Sequence, residues 1–166
     1  WSSDVCSSDL ENKLSPFKSL ICNKFKSYKL IDDMCNEYDL FKEMISKSQI
    51  LLTTNYDSFI EDSYNNISKV PVKIYVGQKG FFQQTTGFAE LYKIHGCISD
   101  SNSIVITQRD YEKFNRDSIL ISAKIISMLL NSPIIFIGYS LKDMNVRKII
   151  KDFTSSLTNE ELFRLE

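Results

Sequence analysis

The chain has 166 residues, 43% hydrophobic and 25% charged, with a formal net charge of -1. That length suits one domain burying roughly 70% of the surface its unfolded chain exposes, and the composition is that of an ordinary globular protein. Its 20 basic and 21 acidic residues are interspersed, which excludes the basic stripe of a nucleic-acid-binding surface.

Residues 1–10 (WSSDVCSSDL) repeat Ser-Ser-Asp and show neither a helical nor a strand period. The string resembles a translated sequencing adaptor and is set apart from the fold, leaving residues 11–166 as the domain. Asn12–Lys47 reads as helical, because Leu30, Met34, Tyr38, Phe41 and Ile45 recur at spacings of three or four and share one face. The period then changes. Gln49–Thr54 (QILLTT) is a short apolar run that predicts a buried strand, followed by a short helix over Asp57–Tyr64.

Val70–Val76 (VPVKIYV) alternates as a second strand, Leu91–Ile94 (LYKI) predicts a third and Ser103–Thr107 (SIVIT) a fourth. Helices are expected over Arg109–Phe114 and Asp117–Leu130. The second is apolar almost all round, as in a helix buried in the domain or at a partner interface. Pro133 opens a fifth predicted strand, Ile134–Tyr139 (IIFIGY), and Lys142–Phe153 reads as a closing amphipathic helix. Strands alternating with helices predict an α/β fold: a Rossmann-like parallel sheet with helices on both faces.

The most apolar stretch, Ser118–Leu141, is interrupted by Lys124, Asn131 and Pro133 and falls short of a membrane span. No basic segment leads into an apolar core as in a signal peptide, so a cytoplasmic protein without a membrane partner is expected. The four cysteines, Cys6, Cys22, Cys35 and Cys97, form no C-x-x-C pair, and His95 is the one histidine. The expectation is therefore no metal site, and free buried thiols in a reducing compartment.

In parallel α/β sheets ligands sit beyond the carboxyl ends of the strands. Three predicted strands end in polar motifs: Thr53-Thr54-Asn55-Tyr56-Asp57, Lys93-Ile94-His95-Gly96, and Gly138-Tyr139-Ser140-Leu141 with Asp143 and Asn145 beyond. Two of the five glycines, Gly96 and Gly138, lie at these ends, where glycine permits a tight turn or a close approach. Each motif also has a plain structural reading. Asn55 and Asp57 suit helix caps, His95 a satisfied structural histidine, and Gly138 with Ser140 an ordinary strand-to-helix turn.

Taken together, these motifs resemble the sirtuin family. TTNYD is similar to the family's T-Q-N-I-D signature, KIHG contains its catalytic H-G pair, and GYSL is similar to its G-T-S-L. The wording is closer to the prokaryotic sirtuin-like domains, with SIVIT and the following Asp110-Tyr111 also fitting, and the motif core covers residues 49–150. The resemblance implies an enzyme that consumes NAD. Asn55 and His95 would be catalytic, the amide positioning water or the ribose and the imidazole acting as general base on a ribose hydroxyl. Thr54, Asp57, Gly96, Gly138, Ser140, Leu141 and Asp143 would contact NAD. Within that set Asp57 would face the nicotinamide carboxamide, Gly138 and Ser140 the adenosine half and its phosphates, and Asp143 a ribose or a helix end.

Two departures qualify the resemblance. Sirtuin deacylases carry two C-x-x-C pairs after the H-G motif, whereas here Cys97 and Ile98 lead through a short polar turn into SIVIT. Hydrolysis or cyclisation of NAD is therefore expected over protein deacylation, with no metal. No glycine precedes Gly77, so the family's glycine-rich pyrophosphate turn is missing. The expectation is a domain cut short at its N-terminus, inactive as this piece and fused to, or assembled with, a sensor or other copies of itself. The implied biological role is NAD depletion in prokaryotic antiphage defence. Two other readings stay open: a non-catalytic module that binds NAD or ADP-ribose, and a zinc-free deacylase.

Overall fold

The computed structural model describes residues 16–80, 83–84, 86, 88–117, 119–139 and 144–163. The chain forms two units, divided between Ile106 and Thr107.

In the first unit, helix α1 spans residues 16–26 and α2 spans Cys35–Lys47. The single helix predicted over Asn12–Lys47 is thus interrupted within its described part. The Ser27 hydroxyl donates to the Lys24 carbonyl at 2.7 Å, and the Ser27 and Tyr28 amides donate three residues back, which tightens and ends α1. A short 3-10 turn, Asp32–Met34, restarts the chain. Leu30 and Met34, the first two members of the predicted stripe, are consequently exposed, while Ile45 is fully buried.

The sheet has three parallel strands, β1 (Ile50–Thr53), β2 (Lys73–Val76) and β3 (Glu90–Lys93), in the order β1-β3-β2. Helix α3 (Phe59–Asn65) connects β1 towards β2, and one turn, α4 (Gly77–Gly80), follows β2. All four residues of the central strand are buried. Register aligns Leu51, Leu91 and Ile74 in one row, and Tyr92 with Tyr75 in the next. Because side chains alternate across a sheet, the two rows face opposite ways. The leucine row packs with Ile45 and Phe41 of α2 and Tyr64 and Ile60 of α3. On the opposite face Tyr75 and Tyr92 stack with ring centroids 4.7 Å apart. β1 is only partly buried, with Leu52 exposed, as fits its place beside a single strand neighbour.

A second cluster gathers Cys22 and Phe25 of α1 with Cys97, Ile98, Ile104 and Tyr56. It fastens α1 to the loop after β3. The buried Lys18 ammonium strengthens this by donating to the Ile104 carbonyl at 2.8 Å. Cys22 and Cys97 are buried free thiols, but Cys35, the first residue of α2, is exposed.

Two predicted strands do not form. Ser101–Ser103 is a 3-10 turn, and the residues after it run irregularly into a helix cap. The Thr107 amide donates to Asp110 Oδ2 at 2.9 Å and the Asp110 amide returns to Thr107 Oγ1 at 3.2 Å. This reciprocal box starts α5 (Gln108–Asp117) and takes the end of SIVIT out of any strand. Residues 134–139 are likewise irregular, with Ile135 80% exposed. Strand propensity expresses packing on a pleated neighbour, and among the described residues no strand pairs with this segment.

In the second unit, α5, α6 (Ile119–Asn131) and α7 (Met144–Ser156) bury Phe114, Ile121, Ile125, Val146, Ile149 and Phe153, and the short α8 (Asn159–Phe163) follows. No helix among the described residues is long and apolar enough to cross a membrane.

Candidate active site

β1 stops where its own side chains capture the backbone. The Asn55 amide donates to Thr53 Oγ1 at 3.0 Å, closing a threonine turn that ends the ladder. Two residues later the Phe59 amide donates to Asp57 Oδ1 at 3.0 Å, an Asx turn that leads into α3 and engages one carboxylate oxygen. The N-cap of α3 is Ser58, without a side-chain cap bond, so neither Asn55 nor Asp57 is its cap. Asn55 is exposed and Thr54 half-buried between these anchors.

β3 ends beside this turn. The Ile94 amide continues the ladder to the Thr53 carbonyl at 3.0 Å, and His95-Gly96 follow directly. The Gly96 backbone has φ +99°, a left-handed conformation, and an added Cβ would fall within 2.8 Å of the Ile104 amide nitrogen. Glycine here provides both freedoms anticipated for it: the sharp turn and the close approach of the 103–104 backbone. The Val105 amide donates to the His95 carbonyl at 2.9 Å and the Cys97 amide to Ser103 Oγ at 3.0 Å, which completes the loop.

The two motifs are tied to each other as well as to the sheet. The Ile98 amide donates to the Tyr56 carbonyl at 2.9 Å, and the Tyr56 hydroxyl donates to the Val105 carbonyl at 2.7 Å. From β3, the Lys93 ammonium donates to the Asp57 carbonyl and to Glu61 Oε1, the latter at 2.6 Å. The turn holding Asn55 and Asp57 is therefore anchored to the loop holding His95 and Gly96 at the carboxyl ends of adjacent parallel strands. Solvent access differs sharply across it: His95 is only 2% exposed, whereas Asn55 is open.

Lys93 and Glu61 were not singled out from the sequence. Their signal is a lysine within the predicted strand Leu91–Ile94, since a buried ammonium demands a partner. Tyr92 is also polar and buried, its hydroxyl donating to Glu90 Oε2 at 2.7 Å. Burial, then the bond to Glu90, pushes its phenol far above the usual range.

The third motif belongs to the second unit. Gly138 takes φ +61° with open space where a Cβ would stand, so its conformation alone favours glycine. Tyr139 stacks on Phe136 at 5.9 Å. Ser140, Leu141 and Asp143 lie outside the described residues. Among the described residues no group of three or more His, Cys, Asp or Glu side chains could hold a metal ion.

The SIR2-like domain matches residues 49–162. The chain is similar to the NAD(+) hydrolase ThsA of Enterococcus faecium, 37% identical over 105 residues, covering 60% of this chain and 21% of that protein. It is 33% identical to the NAD(+) hydrolase ThsA of Cytobacillus dafuensis over 99 residues, 59% of this chain and 20% of that protein. It is 22% identical to the Bacillus cereus NAD(+) hydrolase ThsA over 161 residues, 91% of this chain and 34% of that protein. The chain thus spans between a fifth and about a third of these relatives' lengths. The family match takes in the strand-end turns on β1 and β3 and the helices beyond them, and the chain belongs to the SIR2-like domain family.

Proposed function

We propose that this chain carries the bond-cleaving site of an NAD hydrolase that releases nicotinamide and ADP-ribose. One observation carries the reading: the Asn55–Asp57 turn is hydrogen-bonded to the loop after His95-Gly96 at the carboxyl end of a parallel sheet, where α/β proteins bind their ligands. The relatives named NAD(+) hydrolases support the same chemistry.

In this reading NAD is the substrate and brings the labile bond between nicotinamide and ribose. The Asn55 amide, able to donate and accept, orients water or the ribose without adding charge. His95, at the end of the neighbouring strand, accepts a proton from a ribose hydroxyl. Asp57 Oδ1 is engaged by the Phe59 amide, so contact with the carboxamide falls to Oδ2. Thr54 and Gly96 line the same turns. The roles proposed for Gly138, Ser140, Leu141 and Asp143 rest on the motif alone. We further propose a cytoplasmic enzyme that works as a homo-oligomer or with a fused sensor, and depletes NAD in defence against phage.

The test measures nicotinamide release by the longest reading frame carrying this chain, beside Asn55→Ala and His95→Ala. Each substitution is expected to slow release by at least ~10²-fold, the low end for a positioned acid-base group. Equal turnover in all three proteins ends the assignment.

A further inference from the structure

We propose that Lys93 and Glu61 form a positioning pair, a buried ion pair whose task is to fix the Asn55–Asp57 turn rather than to stabilise the fold. The inference rests on the reading of that turn as part of the active site.

Lys93 is 0% exposed in the central strand, and Glu61, in the first turn of α3, is 6% exposed. Removing both charges from water is costly, and their attraction seldom returns more than that cost; well-packed apolar residues of similar volume usually serve a fold as well. The pair is also incompletely satisfied. Glu61 Oε1 accepts from Lys93, while Oε2 is buried and lacks a hydrogen-bond partner among the described residues. The start of α3 partly offsets this, because a carboxylate is favoured near a helix N-terminus. As a device for stability alone, the arrangement is a poor choice.

What an apolar pair cannot do is hold a carbonyl. Lys93 Nζ grips the Asp57 carbonyl as well as Glu61. One ammonium thereby links the central strand, the helix and the turn. The remaining anchors of the turn are local or come from the neighbouring loop: Asn55 to Thr53, Phe59 to Asp57, Ile98 to Tyr56, and Tyr56 to Val105. None of them ties it to the body of the sheet across β3. Glu61 in turn keeps the ammonium aimed, since without a counter-charge the lysine would be a lone buried cation. Lys93 closes β3 two residues before His95, so the pair refers Asp57 and Asn55 to the strand that leads into the imidazole.

The test compares wild type, Lys93→Met and the double variant Lys93→Met/Glu61→Leu in the longest reading frame carrying the chain. It reads kcat and KM for nicotinamide release, the thermal midpoint, and hydrogen exchange of the segment spanning residues 54–60. Lys93→Met is expected to be destabilised by the stranded carboxylate. The double variant is expected to recover the wild-type midpoint yet keep a kcat lowered by about 10²-fold, the loss that a misplacement of roughly 1 Å produces. Its KM should change little and its 54–60 segment should exchange faster. Where Lys93→Met fails to fold, the double variant supplies the comparison. A double variant that regains both stability and kcat overturns the proposal. Should wild type itself release no nicotinamide, the proposed function fails, and exchange still decides this inference: unchanged protection of 54–60 in the stable double variant overturns it.

Discussion

The Tyr56 hydroxyl donates to the Val105 carbonyl at 2.7 Å, joining two segments 49 residues apart. It ties the β1 turn to the loop after β3. Tyr56→Phe leaves that carbonyl without its partner and is expected to cost about 1 kcal/mol of stability, the usual net value of such a bond. Chemical denaturation checks this. A midpoint equal to wild type would show that the hydroxyl is exchanged for water without loss.

Gly96 makes a sharper prediction. A methyl group there meets the 103–104 backbone and is held at a left-handed φ of +99°. Gly96→Ala is expected to destabilise the chain by roughly 2–3 kcal/mol, within the range for strained backbone that cannot relax. Gly138→Ala meets only open space and should cost less. Thermal melts of the two variants side by side decide, and equal losses would contradict the role assigned to the 103–104 contact.

Turn closure and substrate contact can be separated at Asp57. An asparagine oxygen accepts from the Phe59 amide as the carboxylate does, so Asp57→Asn is expected to keep stability, whereas Asp57→Ala loses about 1 kcal/mol, the usual net value of a hydrogen bond. If the carboxylate also meets the nicotinamide carboxamide, Asp57→Asn lowers turnover at unchanged stability. Turnover that follows stability in both variants would reduce Asp57 to a turn residue.

Tyr92 predicts an alkaline limit. Burial and the Glu90 carboxylate raise its phenol above the ordinary 10.0, so the folded chain holds the proton more tightly than the unfolded one. Stability from this group is whole below about pH 10 and falls as pH climbs beyond it, because only the unfolded form then ionises readily. Tyr92→Phe should flatten that decline. Parallel curves for wild type and variant, in melts taken across that range, would rule the phenol out as its cause.

The sequence by itself determined the parallel α/β character, the three observed strands to within a few residues, and the turns that carry Asn55 and His95. These follow from short-range rules: apolar runs set strands, threonine and aspartate side chains close the turns after them, and glycine marks the left-handed positions. Tertiary structure decided the rest. Residues 134–139 have strand chemistry, but among the described residues no strand pairs with them, and a strand exists only as part of a ladder. Asn12–Lys47 is apolar at helical spacing yet is broken at Ser27, where a hydroxyl competes for the helix carbonyls. Above all, the pairing of Lys93 with Glu61 and with the Asp57 carbonyl spans 32 and 36 residues. No local pattern announces which distant group a buried charge will meet; only the packing of α3 against β3 brings them within reach.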